Sequence, residues 1–169
     1  MGGVSVEGQS HGAALSVCRG RRTKPIWAEI VKNKRVFLSR ACAKQFLGFA
    51  DDQLQRMSGK KGRGKKGQRP ESEEKYGYDV KAAMHTLRLL YECKELMSQG
   101  EISLPRPERA FLVRVRTGKY SMDKVLAMAH ELFSECEEAA KSSSLPEKVE
   151  RTAVSSLLSN SYLKAWGAG

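Results

Sequence analysis

The sequence predicts an all-α fold, a bundle of about four to six helices with a flexible basic loop. Apolar residues recur at spacings of three and four along most of the chain, as one buried helix face requires. Capping residues and glycines stand where those periodic stretches begin and end. Alternating runs of β-branched and aromatic residues, the mark of strands, are nearly absent.

Residues 1–24 are rich in Gly, Ser and Arg with little periodicity and read as a poorly ordered segment. Pro25, well placed in a first helical turn, is followed by Ile26, Trp27, Ile30 and Val31 and starts a short helix. Ser39 stands where a cap belongs, ahead of a helix from Arg40 toward Met57, and Gly48 weakens that helix without ending it. Residues 58–70 carry glycine at 59, 62, 64 and 67 and read as a basic loop, with acid following at Glu71, Glu73 and Glu74. The strongest helix is capped by Asp79 and stopped by Gly100, with Val80, Ala83, Met84, Leu87, Leu90, Tyr91 and Met97 along one stripe. Ile102 to Pro107 is an extended connector, because each proline biases its predecessor away from helix. Glu108 to Val115 reads as one or two helical turns ending at Gly118. Ser121 caps the next helix, with Val125, Leu126, Met128, Ala129, Leu132 and Phe133 on its apolar face. A last helix is expected from about Glu147 to Trp166, with Val149, Val154, Leu157, Leu158, Tyr162 and Leu163 inward. Trp27 and Trp166 read as core or interface anchors.

A chain of 169 residues suits one helical domain, over residues 25–166. Its net charge is +11, from 30 basic against 19 acidic residues, which favours a polyanionic partner, nucleic acid or nucleotide first. Cys18, Cys42, Cys93 and Cys136 form no C-x-x-C pair and have no histidine at ligand spacing, so no zinc site is expected. Scattered thiols and the lack of a secretory pattern point to the cytoplasm, and no apolar run is long enough to span a membrane.

Two patterns are candidates for function. Lys81, His85, Arg88 and Glu92 are spaced four, three and four apart, which puts them on one helix flank. A lysine point charge, an arginine fork and an imidazole suit a nucleotide's phosphates, so Lys81, His85 and Arg88 are candidate nucleotide- or phosphate-binding residues. The plainer alternative is a solvated flank with an Arg88–Glu92 pair. The second pattern is Arg56, Lys60, Lys61, Arg63, Lys65, Lys66 and Arg69 within fourteen residues. Interspersed glycines let such a tract follow a phosphate chain and release counterions, while the absence of aromatics implies no base readout. Its plainer alternative is a solvated charged loop.

The segments YGYDVKAAMHTLRLLYECKELMSQGEISLPRPE, VRTGKYSMDKV, LFSECEEA and FLSRACAKQFLGFADDQLQR together resemble the nucleotidyltransferases of the DNA polymerase beta superfamily, including those associated with RNA ligases. The family's Tyr-Asp-x-Lys-x-x-x-His-x-x-Arg-Leu-Leu segment corresponds to Tyr78, Asp79, Lys81, His85, Arg88, Leu89 and Leu90, and its Phe-Leu-Ser to Phe37, Leu38 and Ser39. An intact relative is expected to use magnesium and a nucleoside triphosphate, with acids holding the metal and with Lys81, His85 and Arg88 holding the triphosphate.

The chain departs from that pattern in its acids. Its four aspartates, Asp51, Asp52, Asp79 and Asp123, make no Asp-x-Asp pair, and Gly8-Gln9-Ser10 has no acid after it until Glu29. The expectation is a C-terminal helical part without the catalytic core, holding no metal or cofactor and binding nucleic acid or nucleotide without catalysing transfer. The alternatives are a small basic regulatory or anti-defence protein that binds nucleic acid or a protein–nucleic-acid complex, and a subunit completed by a separate protein that supplies the catalytic half.

Overall fold

A computed structural model of the chain describes residues 25–57 and 70–167. These residues form seven α-helices and one 3-10 turn, and no strand occurs among them. The helices are α1 (Pro25–Lys32), α2 (Ala41–Met57), α3 (Pro70–Tyr76), α4 (Val80–Gln99), α5 (Arg109–Arg116), α6 (Met122–Ser142) and α7 (Arg151–Ala165), with the 3-10 turn at Lys34–Phe37. The N-terminal segment and residues 58–69 lie outside the described set.

Helix α4 is central because its apolar stripe is the widest in the chain. Val80, Ala83, Leu87, Leu90, Cys93, Leu96 and Met97 are all buried, and α2, α5 and α6 pack around them. Both expected ends are present. The Asp79 side chain accepts from the backbone N–H groups of Lys81 (2.9 Å) and Ala82 (3.0 Å), satisfying two donors that the first turn leaves open. Gly100 closes the helix in the left-handed region at φ 73°, where a side chain would be strained. The Ser121 cap accepts from Lys124 at 3.4 Å and starts α6, whose Val125, Ala129, Leu132 and Cys136 are buried.

Cross-links fix the register of α4 against α6. The Tyr78 hydroxyl donates to the Tyr120 carbonyl (2.7 Å), the Cys136 thiol donates to the Leu90 carbonyl (3.1 Å), and Lys94 pairs with Glu135 (2.9 Å). Cys93 and Cys136 are buried free thiols within the core, as apolar cysteines on helix stripes should be.

Four local expectations are corrected. The acidic stretch after the basic loop is helix α3: Pro70 opens it, and Glu71 and Glu73 stand in its first turn, where the helix dipole favours carboxylates. The last helix starts at Arg151, because the Glu150 side chain caps it by accepting from Thr152 N–H at 2.9 Å, leaving residues 147–149 outside. Tyr162 and Leu163 are not inward; they are 54% and 46% exposed. Among the described residues, helix α7 packs chiefly on α1 and the 3-10 turn. Trp27 and Trp166 are likewise exposed and are not core anchors.

Candidate functional site

The α4 flank is organised around Arg88. Its Nη1 donates to the Glu92 carboxylate at 2.6 Å, one helical turn on, and Nη2 donates to His85 Nδ1 at 2.9 Å. Arginine only donates, so Nδ1 is the acceptor and the neutral His85 ring carries its proton on Nε2. The imidazole also meets the Phe49 ring of α2 edge-on, with centroids 5.5 Å apart. Burial, then the Arg88 and Lys81 charges, lower the His85 pKa from its ordinary value, with Glu92 opposing them. The Glu92 side chain is only 10% exposed, so Arg88 compensates a nearly buried carboxylate.

Lys81, His85 and Arg88 therefore share a flank but do not converge on one hollow. Lys81 is exposed toward the start of α4, and His85 leans on α2. Arg88 alone of the three lines a groove of about 320 Å³ between α4 and α5. The other lining residues are Met84, Arg106, Arg109, Leu112, Val113 and Arg116. The lining surface is almost wholly apolar: Met84, Leu112 and Val113 form its floor, and the four arginines line it mostly with their aliphatic stems.

These arginines differ in how far they are committed. Arg106 is nearly buried, at 7% side-chain exposure. It pairs with Glu95 and, through Nη2 at 3.0 Å, with Glu108. Burial acts to lower its pKa, but the Glu95 and Glu108 carboxylates outweigh that and raise it. Its Nε–H is buried and has no acceptor among the described residues. A buried donor left open costs about 1–3 kcal/mol. Arg109 and Arg116 are exposed, and their side chains form no ion pair or hydrogen bond among the described residues. They stand seven residues apart on one face of α5, a rise of about 10 Å.

The sequence reading missed Arg106, Arg109 and Arg116. A local signal for two of them exists: Arg109, Leu112, Val113 and Arg116 follow the i, i+3, i+4, i+7 rule, with a cation at each end of an apolar pair. Arg106 has no such signal, because the connector folds back to bring it to Glu95. Of the basic tract, Arg56 stands in the last turn of α2 with its side chain outside the described set, and Lys60, Lys61, Arg63, Lys65, Lys66 and Arg69 lie outside the described residues altogether.

The groove does not fit a magnesium ion. Its lining is almost wholly apolar, and the nearby Glu92, Glu95 and Glu108 carboxylates are already engaged by Arg88 and Arg106. Among the described residues no three His, Cys, Asp or Glu side chains gather as a metal cluster. What the arrangement can do is hold an anion, by charge and by forked donors, against an apolar surface.

Among the described residues, no helix is long and apolar enough to cross a membrane. No curated protein and no solved structure matches the chain. A family profile does match, over residues 17–160, and that span takes in every helix that builds the groove. The chain belongs to the RNA repair pathway DNA polymerase beta family.

Proposed function

We propose that this chain is a phosphate-gripping helical part of an RNA-repair nucleotidyltransferase, binding nucleic acid or nucleotide without transferring a nucleotidyl group by itself. The observation that supports binding is the groove wall: four arginines, two of them uncommitted to any acid among the described residues. The net charge of +11 extends the attraction beyond the groove. The sequence supports the absence of transfer, since two-metal chemistry needs clustered carboxylates and this chain has no Asp-x-Asp.

The test is fluorescence anisotropy of the full chain with a labelled single-stranded oligoribonucleotide across a salt series. Arg109→Gln with Arg116→Gln is expected to weaken binding about tenfold or more, the scale of one charged hydrogen bond or more. Replacing Lys60, Lys61, Lys65 and Lys66 with Gln should flatten the salt slope without moving the melting temperature. Affinity unchanged by both sets of substitutions would refute the reading. Magnesium-dependent incorporation of labelled nucleotide by the purified chain would refute its second half.

A second reading, a subunit completed by a separate chain that carries the acids, is favoured by one observation. Helices α1 and α7 expose Trp27, Tyr162, Leu163 and Trp166, and the Tyr162 and Trp166 rings stack 5.4 Å apart. Exposed aromatic surface of this kind suits a protein contact. Co-purification of a second protein, lost on Trp166→Ala, would favour it.

A further inference from the structure

We infer that the groove between α4 and α5 takes an unstacked nucleobase of a single-stranded RNA, laid over Leu112 and Val113, with Arg109 and Arg116 meeting the phosphates on either side. This rests on the phosphate-binding reading above and adds what lies between the phosphates.

Three observations carry it. The floor is apolar: Met84, Leu112 and Val113 line it, and Val113 is 53% exposed although it stands on a helix face beside the core. A site for backbone phosphates alone needs only cations, so an apolar floor points to a ligand with a flat, weakly hydrated part. A groove of about 320 Å³ falls at the lower end of small-ligand sites. The two uncommitted arginines also bracket that floor. Arg109 and Arg116 lie two turns apart with Leu112 and Val113 between them, about 10 Å along the axis. A single phosphate sits at one end of such a bracket, whereas a strand crossing the floor presents phosphates to both. Finally, Arg106, nearly buried in the wall, has an Nε–H without an acceptor among the described residues. Base edges carry carbonyl oxygens and ring nitrogens that accept hydrogen bonds, and a paired duplex keeps many of them occupied. Guanidinium planes also stack on bases, which fits a site whose lining holds no aromatic ring.

The experiment compares three labelled oligoribonucleotides with the full chain by anisotropy at one salt concentration: an ordinary single strand, the same strand with abasic residues, and a blunt hairpin duplex. The ordinary strand is expected to bind about tenfold tighter than the abasic one, the scale of one stacked base. Val113→Ser should erase that difference, and since Val113 is half exposed the variant keeps its core. A saturating nucleoside monophosphate serves as competitor; displacement of the strand at a concentration near the strand's own would assign the groove to free nucleotides and overturn the strand proposal. Equal binding of ordinary, abasic and hairpin RNA, still weakened by Arg109→Gln with Arg116→Gln, would overturn the base-slot inference and leave phosphate binding standing. Binding insensitive to both arginines would overturn both. A base preference that survives Val113→Ser would place the base elsewhere and equally overturn the assignment.

Discussion

Arg106→Ala should be among the most damaging single changes in the connector between α4 and α5. The Glu95 carboxylate accepts from Ser103 N–H at 3.1 Å, from the Ser103 hydroxyl and from Arg106 Nη1. Arg106 Nη2 reaches Glu108 at 3.0 Å, so one guanidinium ties α4 to the residue just before α5. Side-chain exposure is 7% for Arg106, 12% for Glu95 and 24% for Glu108. Each hydrogen bond to a charged group contributes about 1.5–3 kcal/mol. Removing one partner of a buried pair costs about 3–5 kcal/mol. Glu108 recovers water and Glu95 keeps its Ser103 bonds, so the expected loss is near the lower limit, about 3 kcal/mol. For a chain of this size that lowers the melting temperature by about 6–12 °C. Urea denaturation followed by circular dichroism measures the loss, and a cycle with Glu95→Gln should show coupling of about 1 kcal/mol or more. A melting shift under about 2 °C with additive effects would refute the account.

The same carboxylate sets an acid limit. Burial pushes the Glu95 pKa up, but the Ser103 and Arg106 hydrogen bonds outweigh it and hold the group below its ordinary 4.5. Its stabilisation is present above that value and is lost as pH falls through the folded pKa. Arg106→Ala should shrink that acid-dependent loss, read from melting temperatures between neutral pH and pH 3.

His85 works at milder pH. Its lowered pKa means that the unfolded ring takes up a proton first, near 6.5, so stability falls as pH drops below that value until the folded pKa is passed; His85→Asn should flatten the melting profile there. Asp79→Ala should cost about 1 kcal/mol by leaving two first-turn donors without their cap, checked by urea denaturation. Arg88→Ala should lower stability by about 1–3 kcal/mol, discounted for its 34% exposure, because Glu92 stays nearly buried and unpaired. It should also weaken RNA binding, since Arg88 lines the groove; loss of stability with unchanged affinity, both measured on one sample, would remove Arg88 from the site.

The sequence by itself determined the helices whose ends and stripes are written locally. Asp79 and Gly100 bracket α4, and Ser121 starts α6, because capping and left-handed closure depend on residues within one turn. The Arg88–Glu92 pair was equally legible, being an i, i+4 contact on one helix. Tertiary structure decided what depends on partners far away in the chain. The apolar period of α7 reads like any buried helix, yet Tyr162 and Leu163 are exposed, because among the described residues α7 packs chiefly on α1 and the 3-10 turn. Lys81, His85 and Arg88 share a flank by periodicity, but only the tertiary packing sets the His85 ring against Phe49 of α2 and places Arg88, still hydrogen-bonded to His85, along the groove beside α5. The groove itself belongs to no single segment: its floor and wall come from α4, α5 and a proline-rich connector. Periodicity fixes which face of a helix a residue occupies. Which neighbour that face meets follows only once loops have closed and burial has chosen among the possible packings.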